Sequence, residues 1–120
     1  MNHQVRFDEI GAVTVVVLAG EIDLANAADL GAEIERRVVD DDGRVRSAVV
    51  DLTDVHHFDS TGVRMLFRAA TTFASHGISA RVVRPRSDAL AEVLEVAQVD
   101  RVVPVDDSVR DAVAALTPAS

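Results

Sequence analysis

Four consecutive residues, Asp59-Ser60-Thr61-Gly62, lie between a nearly unbroken apolar run ending at Leu52 and an amphipathic pattern beginning at Val63. A buried strand followed by a helix places the Ser60 hydroxyl at a helix N-terminus. Unpaired backbone N–H groups and the positive end of the helix dipole accept a phosphate there without disturbing the helix. The same residues also suit an ordinary cap, since Asp and Ser both satisfy orphan N–H groups. Two features point past a cap. Gly62 in the first turn costs about 1 kcal/mol relative to Ala in a helix interior, less at a terminus, and so marks a need for close backbone approach. Thr61 adds a second hydroxyl where one cap suffices.

Other groupings are chemically weaker. His56 and His57 with Asp54 and Asp59 resemble a ligand set, but adjacent histidines in extended chain point to opposite sides, which does not suit one metal ion. Ser60 lacks the G-x-S-x-G elbow that exposes a hydrolase nucleophile. No phosphate loop of the G-x-x-x-x-G-K type occurs, and there is no lysine at all. No catalytic, cofactor or metal residue is therefore expected. Gly20-Glu21-Ile22-Asp23 is a second joint from strand to helix, readable as a turn and cap. In a parallel arrangement it and the Ser60 joint both follow strand C-termini, where α/β domains build their sites, so the two acidic loops form one face.

The elements that hold these joints follow from pattern. Val5 to Asp8 and Ala12 to Ala19 read as a hairpin turning at Gly11. Asp23 or Asn26 caps a helix with Ala27, Leu30, Ile34 and Val38 on one face, ended by Asp40-Asp41-Asp42-Gly43. Ser47 to Leu52 is a central strand, and Thr53 to Gly62 a loop anchored by Val55 and Phe58. A helix from Gly62 to about His76 buries Val63, Leu66, Phe67, Ala70, Phe73 and Ala74, leaves Arg64 and Arg68 outside, and stops at Gly77. Ile78 to Val83 is a strand. Ser87 caps a helix through Ala97 with Leu90, Val93, Leu94 and Ala97 on one side. Val102 and Val103 form a short strand stopped by Pro104; Asp106 or Asp107 starts a last helix, and Thr117 to Ser120 frays. The alternation predicts a single α/β domain over residues 1–120: a mixed, mostly parallel sheet of about five strands, about four helices and an N-terminal β-hairpin.

Composition narrows the function. The twelve basic residues are all arginine, and twenty acidic ones leave a formal charge of −8. Such a chain repels nucleic acid and anionic lipid and suits a partner with a basic face. The apolar run from Val13 to Ala19 is too short to span a bilayer, and the N-terminus has no signal-peptide hydrophobic region. With no cysteine, the expectation is a cytoplasmic protein.

Three stretches, LAGEIDLANA (Leu18 to Ala27), VVDLTDVHHFDSTGVRML (Val49 to Leu66) and ISARVVRPRSDALAEVLEVAQVD, in this order and spacing, resemble the STAS-domain anti-sigma-factor antagonists of bacteria. The resemblance implies partner switching. The unphosphorylated antagonist binds an anti-sigma factor that is also a serine kinase and so frees a sigma factor. Phosphorylation of the serine reverses this, and a metal-dependent serine phosphatase resets it. Ser60 matches the phosphorylated serine. Asp59, Thr61 and Gly62 match the rest of its motif, and Glu21 and Asp23 match the first docking loop. Relatives often continue Gly-Leu-Gly where this chain reads Gly62-Val63-Arg64, so Arg64 either pairs with phosphate or selects a different partner. The other function the resemblance admits is a STAS scaffold or sensor subunit: stressosome-type, transporter-associated or nucleotide-binding. The sequence leaves oligomeric state open.

Overall fold

A computed structural model describes residues 3–39 and 43–118. Five strands, β1 (His3–Ile10), β2 (Val13–Ile22), β3 (Ser47–Phe58), β4 (Ser79–Val83) and β5 (Val105–Asp106), form one sheet in the order β1-β2-β3-β4-β5. The first pair is antiparallel around Gly11, whose φ of +60° suits the tight turn; the other pairs are parallel. Helices α1 (Ala27–Val39), α2 (Ser60–Ser75) and α3 (Asp88–Val96) make the crossovers, and α4 (Val109–Leu116) ends the chain. Because β2 to β5 follow one another in space, right-handed crossovers put all three helices on one face. There Leu30, Ile34, Leu66, Phe73 and Leu94 pack on Val16, Leu18, Val50 and Leu52. The opposite face, Val13, Val15, Val49 and Val83, is covered by Ala112 of α4.

Strand β3 runs on to Phe58, where the sequence suggests a loop from Thr53. The register against β2 explains the difference. Val17 pairs with Asp51 but Ala19 with Asp54, and Gly20 pairs with Val55 but Glu21 with His57, so β3 carries two extra residues, each a bulge. Each bulge lengthens the inward spacing from two to three: Leu52, Val55 and Phe58 are buried. Strand alternation is thereby erased from a segment that is strand. Val55 and Phe58 do point inward as expected. At the first bulge the Asp51 carboxylate, 8% exposed, accepts from the backbone N–H (3.0 Å) and hydroxyl of Thr53.

Three other boundaries move. In α2 the buried stripe takes in Met65 and Ala69, while Phe67 is half-buried and Ala74 exposed, because α2 leans on α1 as well as on the sheet. A Cβ on Gly31 of α1 would come within 3.1 Å of Met65 Cγ. Val102 and Val103 are not a strand: a 3-10 turn over Val99–Arg101 draws both their N–H groups onto the Val99 carbonyl, at 2.9 and 3.0 Å. Pro104 opens β5 instead of stopping a strand, and its carbonyl accepts from Val82 N–H at 2.9 Å. Ser108, not Asp106 or Asp107, caps α4, accepting from Asp111 N–H at 3.0 Å. Asp106 is engaged elsewhere, as a two-pronged acceptor of Arg81 Nε (2.7 Å) and a terminal guanidinium nitrogen (3.1 Å). The expected acidic helix stop at Asp40-Asp41-Asp42 and the end of the tail, Ala119 and Ser120, lie outside the described residues. Thr117 donates N–H and hydroxyl to the Val113 carbonyl.

With only two residues, β5 depends on this guanidinium fork. Arg81→Ala leaves a mostly buried carboxylate unpaired and is expected to cost about 1.5–3 kcal/mol in urea unfolding. Arg81→Lys, which keeps charge but not the fork, should fall between.

Candidate functional site

The parallel register brings the two joints together. Glu21 pairs with His57 and Ile22 with Phe58, so the end of β2 lies directly beside the residues entering α2. Gly20, at φ +87°, turns the chain at the second bulge. Beyond it the first joint closes on itself. Asn26 accepts from Asp23 N–H (3.0 Å) and donates to the Glu21 carbonyl (2.9 Å), and the Asp23 carboxylate accepts from Ala25 N–H (3.0 Å). Neither expected cap of α1 accepts from an N–H group of the helix: both side chains are used inside the turn before it, and only the Asp23 and Asn26 backbone carbonyls accept from Ala27 and Leu30 N–H, each at 2.9 Å. Glu21 remains exposed at the edge, whereas the Asp23 carboxylate is spent within its own turn.

The second joint separates its two hydroxyls. Asp59 is the N-cap of α2, with extended backbone (φ −113°, ψ −165°). One carboxylate oxygen accepts from Thr61 N–H at 3.0 Å and from the Thr61 hydroxyl. This repeats the Asp51-Leu52-Thr53 arrangement one bulge earlier. Thr61 is therefore tied down. Ser60, the first residue of α2, is exposed, and its hydroxyl makes no hydrogen bond among the described residues. The cap belongs to Asp59 alone, so Ser60 has no structural duty at the helix end.

The Thr61 hydroxyl holds the Asp59 carboxyl below the usual carboxylate range, helped by the N–H groups of Thr61 and Gly62 and by His57, against a smaller opposing effect of burial. The Asp59 carboxylate lies 3.9 Å from His57 Nε2. A lowered folded-state pKa means that the cap stabilises fully above the unfolded carboxyl's pKa and is lost as pH falls through the folded value. Asp59→Ala is accordingly expected to cost about 0.5–2 kcal/mol near neutral pH, with the gap to the parent closing below about pH 4 in thermal melts. Ser60→Ala should change stability by no more than about 0.5 kcal/mol at any pH.

Gly62 is required by packing. A Cβ there would sit 2.6 Å from Phe58 Cε1 and 2.7 Å from Cδ1, so the buried Phe58 ring occupies the space a side chain would need. This is the close approach that its placement in a first turn suggests. Ser60 itself borders a shallow apolar groove between α2 and α3, lined by Val63, Val93, Val96 and Ala97. Val96 is 76% exposed. Sequence reasoning left these α3 residues out of the site. The available signal was Val96, a valine off the buried stripe.

The surrounding edge carries both signs. Asp54 pairs with Arg86 at 3.2 Å, and Arg84 with Asp88 at 3.1 Å and Asp107 at 3.7 Å, so the acidic face expected from the two loops is offset by cations from the β4–α3 joint. Arg64 stands away from Ser60's groove and lines the opposite flank of α2, toward α1. His56 and His57 are both exposed. No group of three or more potential metal ligands occurs among the described residues, and none of their helices is long and apolar enough to cross a membrane.

The STAS domain family model matches residues 4–112, and the chain belongs to that family. Comparison with curated proteins found no match. Among solved structures, the chain is similar to an anti-sigma factor antagonist from Mycobacterium paratuberculosis, 25% identical over 94% of this chain and 92% of that one, with a TM-score of 0.82. It is also similar to SpoIIAA, a Bacillus cell fate determinant, in its phosphorylated form, 15% identical over 95% of this chain and all (100%) of that one, TM-score 0.69. A third likeness is to the murine anion transporter Slc26a9, 19% identical over 89% of this chain but 18% of that one, TM-score 0.75. At their identities the second and third establish the fold alone.

Proposed function

We propose that this chain is an anti-sigma-factor antagonist switched at Ser60. Unphosphorylated, the face built from Glu21, Asp23, Asp59, Ser60, Thr61, Gly62 and Arg64 docks on an anti-sigma factor that is also a serine kinase, and a sigma factor is released. The kinase transfers the γ-phosphoryl group of ATP to Ser60 Oγ, the hydroxyl proton leaves, and the complex dissociates. A metal-dependent serine phosphatase restores the hydroxyl. The chain has no catalytic step of its own and works in the cytoplasm.

The observation that carries this reading is the division of labour at the head of α2: Asp59 caps, Thr61 is bound to it, and Ser60 is exposed with a free hydroxyl. A phosphate brings about −1.5 to −2 charges. The helix N-terminus tolerates them, but a desolvated interface beside Asp59 and Glu21 does not. The likeness to the mycobacterial antagonist over nearly both whole chains supports the same role.

The test is reconstitution with a candidate anti-sigma serine kinase and its sigma factor from the same organism. Without ATP the chain should co-elute with the kinase and displace the bound sigma factor. If the sigma factor stays bound at saturating antagonist, the reading falls.

A further inference from the structure

Helices α1 and α2 leave an open groove of about 760 Å³ on the outer surface of the domain. Its floor is small and apolar: Ala28, Gly31 and Ala32 from α1, with Met65 laid over Gly31. Leu24, 81% exposed, stands at its mouth. Along the α2 wall, Arg64, Arg68, Thr72 and His76 succeed one another at four-residue intervals, one row spanning about 18 Å. Among the described residues, Glu35 is the only acid lining the groove. It is already held by Arg68 Nε at 3.5 Å and the Thr72 hydroxyl at 3.4 Å. Arg64 has no carboxylate partner among the described residues. In a chain of formal charge −8, this flank runs against the overall sign.

From this charge and spacing we infer that the α1–α2 groove is a docking site for an acidic amphipathic helix of a protein partner. A helix seated there turns an apolar stripe to the alanine floor, whose short side chains permit close approach of the two backbones. Its carboxylates, one per turn, meet Arg64 and Arg68. A single-headed anionic amphiphile would need cations gathered at one end, whereas these are strung along the wall. A nucleic acid would meet an acidic molecule beyond the groove. The groove meets the docking face proposed above at Thr61 and Arg64, while Ser60 itself borders the other flank of α2.

The test titrates the isotopically labelled full chain with a synthetic helical peptide about four turns long, bearing Glu at i, i+4 and i+8 beside a Leu/Ala stripe, and follows backbone amides by NMR. Saturable shifts confined to α1 and α2 are expected, with affinity reduced about tenfold or more in Arg64→Ser/Arg68→Ser and in the Glu→Gln peptide. Thermal melts verify that the double variant stays folded. Ser60→Asp should bind this peptide within about twofold of the parent, which separates the groove from the switch. Equal binding of the Gln peptide, shifts centred on α3 or β1, or no saturation at millimolar peptide overturns the inference. So does tighter binding of decanoate at the same amides, or burial of the groove in a dimer of this chain.

Discussion

Ser60→Asp is expected to weaken binding to the anti-sigma kinase by about 100-fold or more, while the melting temperature moves by no more than a few degrees. The pairing of a large interface effect with a small stability effect follows from the geometry. Position 60 is the first residue of α2, exposed, and the cap is Asp59. A carboxylate there sits at the favourable end of the helix dipole, so the fold is not penalised. Asp59 and Glu21 lie on the same edge, so a partner that desolvates Ser60 must also bury new repulsion, and about 1.4 kcal/mol of it costs tenfold in affinity. Calorimetric titration with parallel melts reads both quantities. Loss of the folded state in Ser60→Asp would mean that the serine is structural after all.

Gly62→Ala should destabilise the fold by about 1–3 kcal/mol, or about 5–15 °C in melting temperature. Helix propensity alone argues the other way, since Ala is favoured over Gly by up to about 1 kcal/mol in a helix interior. Sterics decide the sign. The Phe58 ring is 3% exposed and hemmed in by core side chains, so it cannot retreat from a methyl group 2.6 Å away without disturbing the packing of β3 against α2. The double variant Phe58→Leu/Gly62→Ala isolates the clash. In the Phe58→Leu background the alanine should cost little or nothing. A higher melting temperature for Gly62→Ala alone would show that the ring yields freely.

How far the chain can be read without coordinates depended on whether the signal was local. Asp59-Ser60-Thr61-Gly62 was legible because capping and a first-turn glycine are decided within a few residues. The strand-helix alternation and the hairpin at Gly11 were legible because their periods are regular. The end of β3 was not. Its two bulges convert a period of two into a spacing of three at Leu52, Val55 and Phe58, and only pairing with β2 reveals a strand there. Pro104 misled because proline ends an element as readily as it begins one, and the partner that decides, Val82, is more than twenty residues away. Which of Asp106, Asp107 and Ser108 caps α4 turns on Arg81, a contact across the sheet. The site was incomplete for the same reason: Val93 and Val96 join Ser60 only once α3 packs beside α2.

The most direct test is to map the phosphate. Incubation of the chain with ATP and the anti-sigma kinase, followed by fragmentation mass spectrometry, should place a single phosphoryl group on Ser60 and none on Thr61, whose hydroxyl is committed to the Asp59 carboxylate. Modification at Thr61, or an unmodified chain after the kinase has turned over its ATP, would contradict the account.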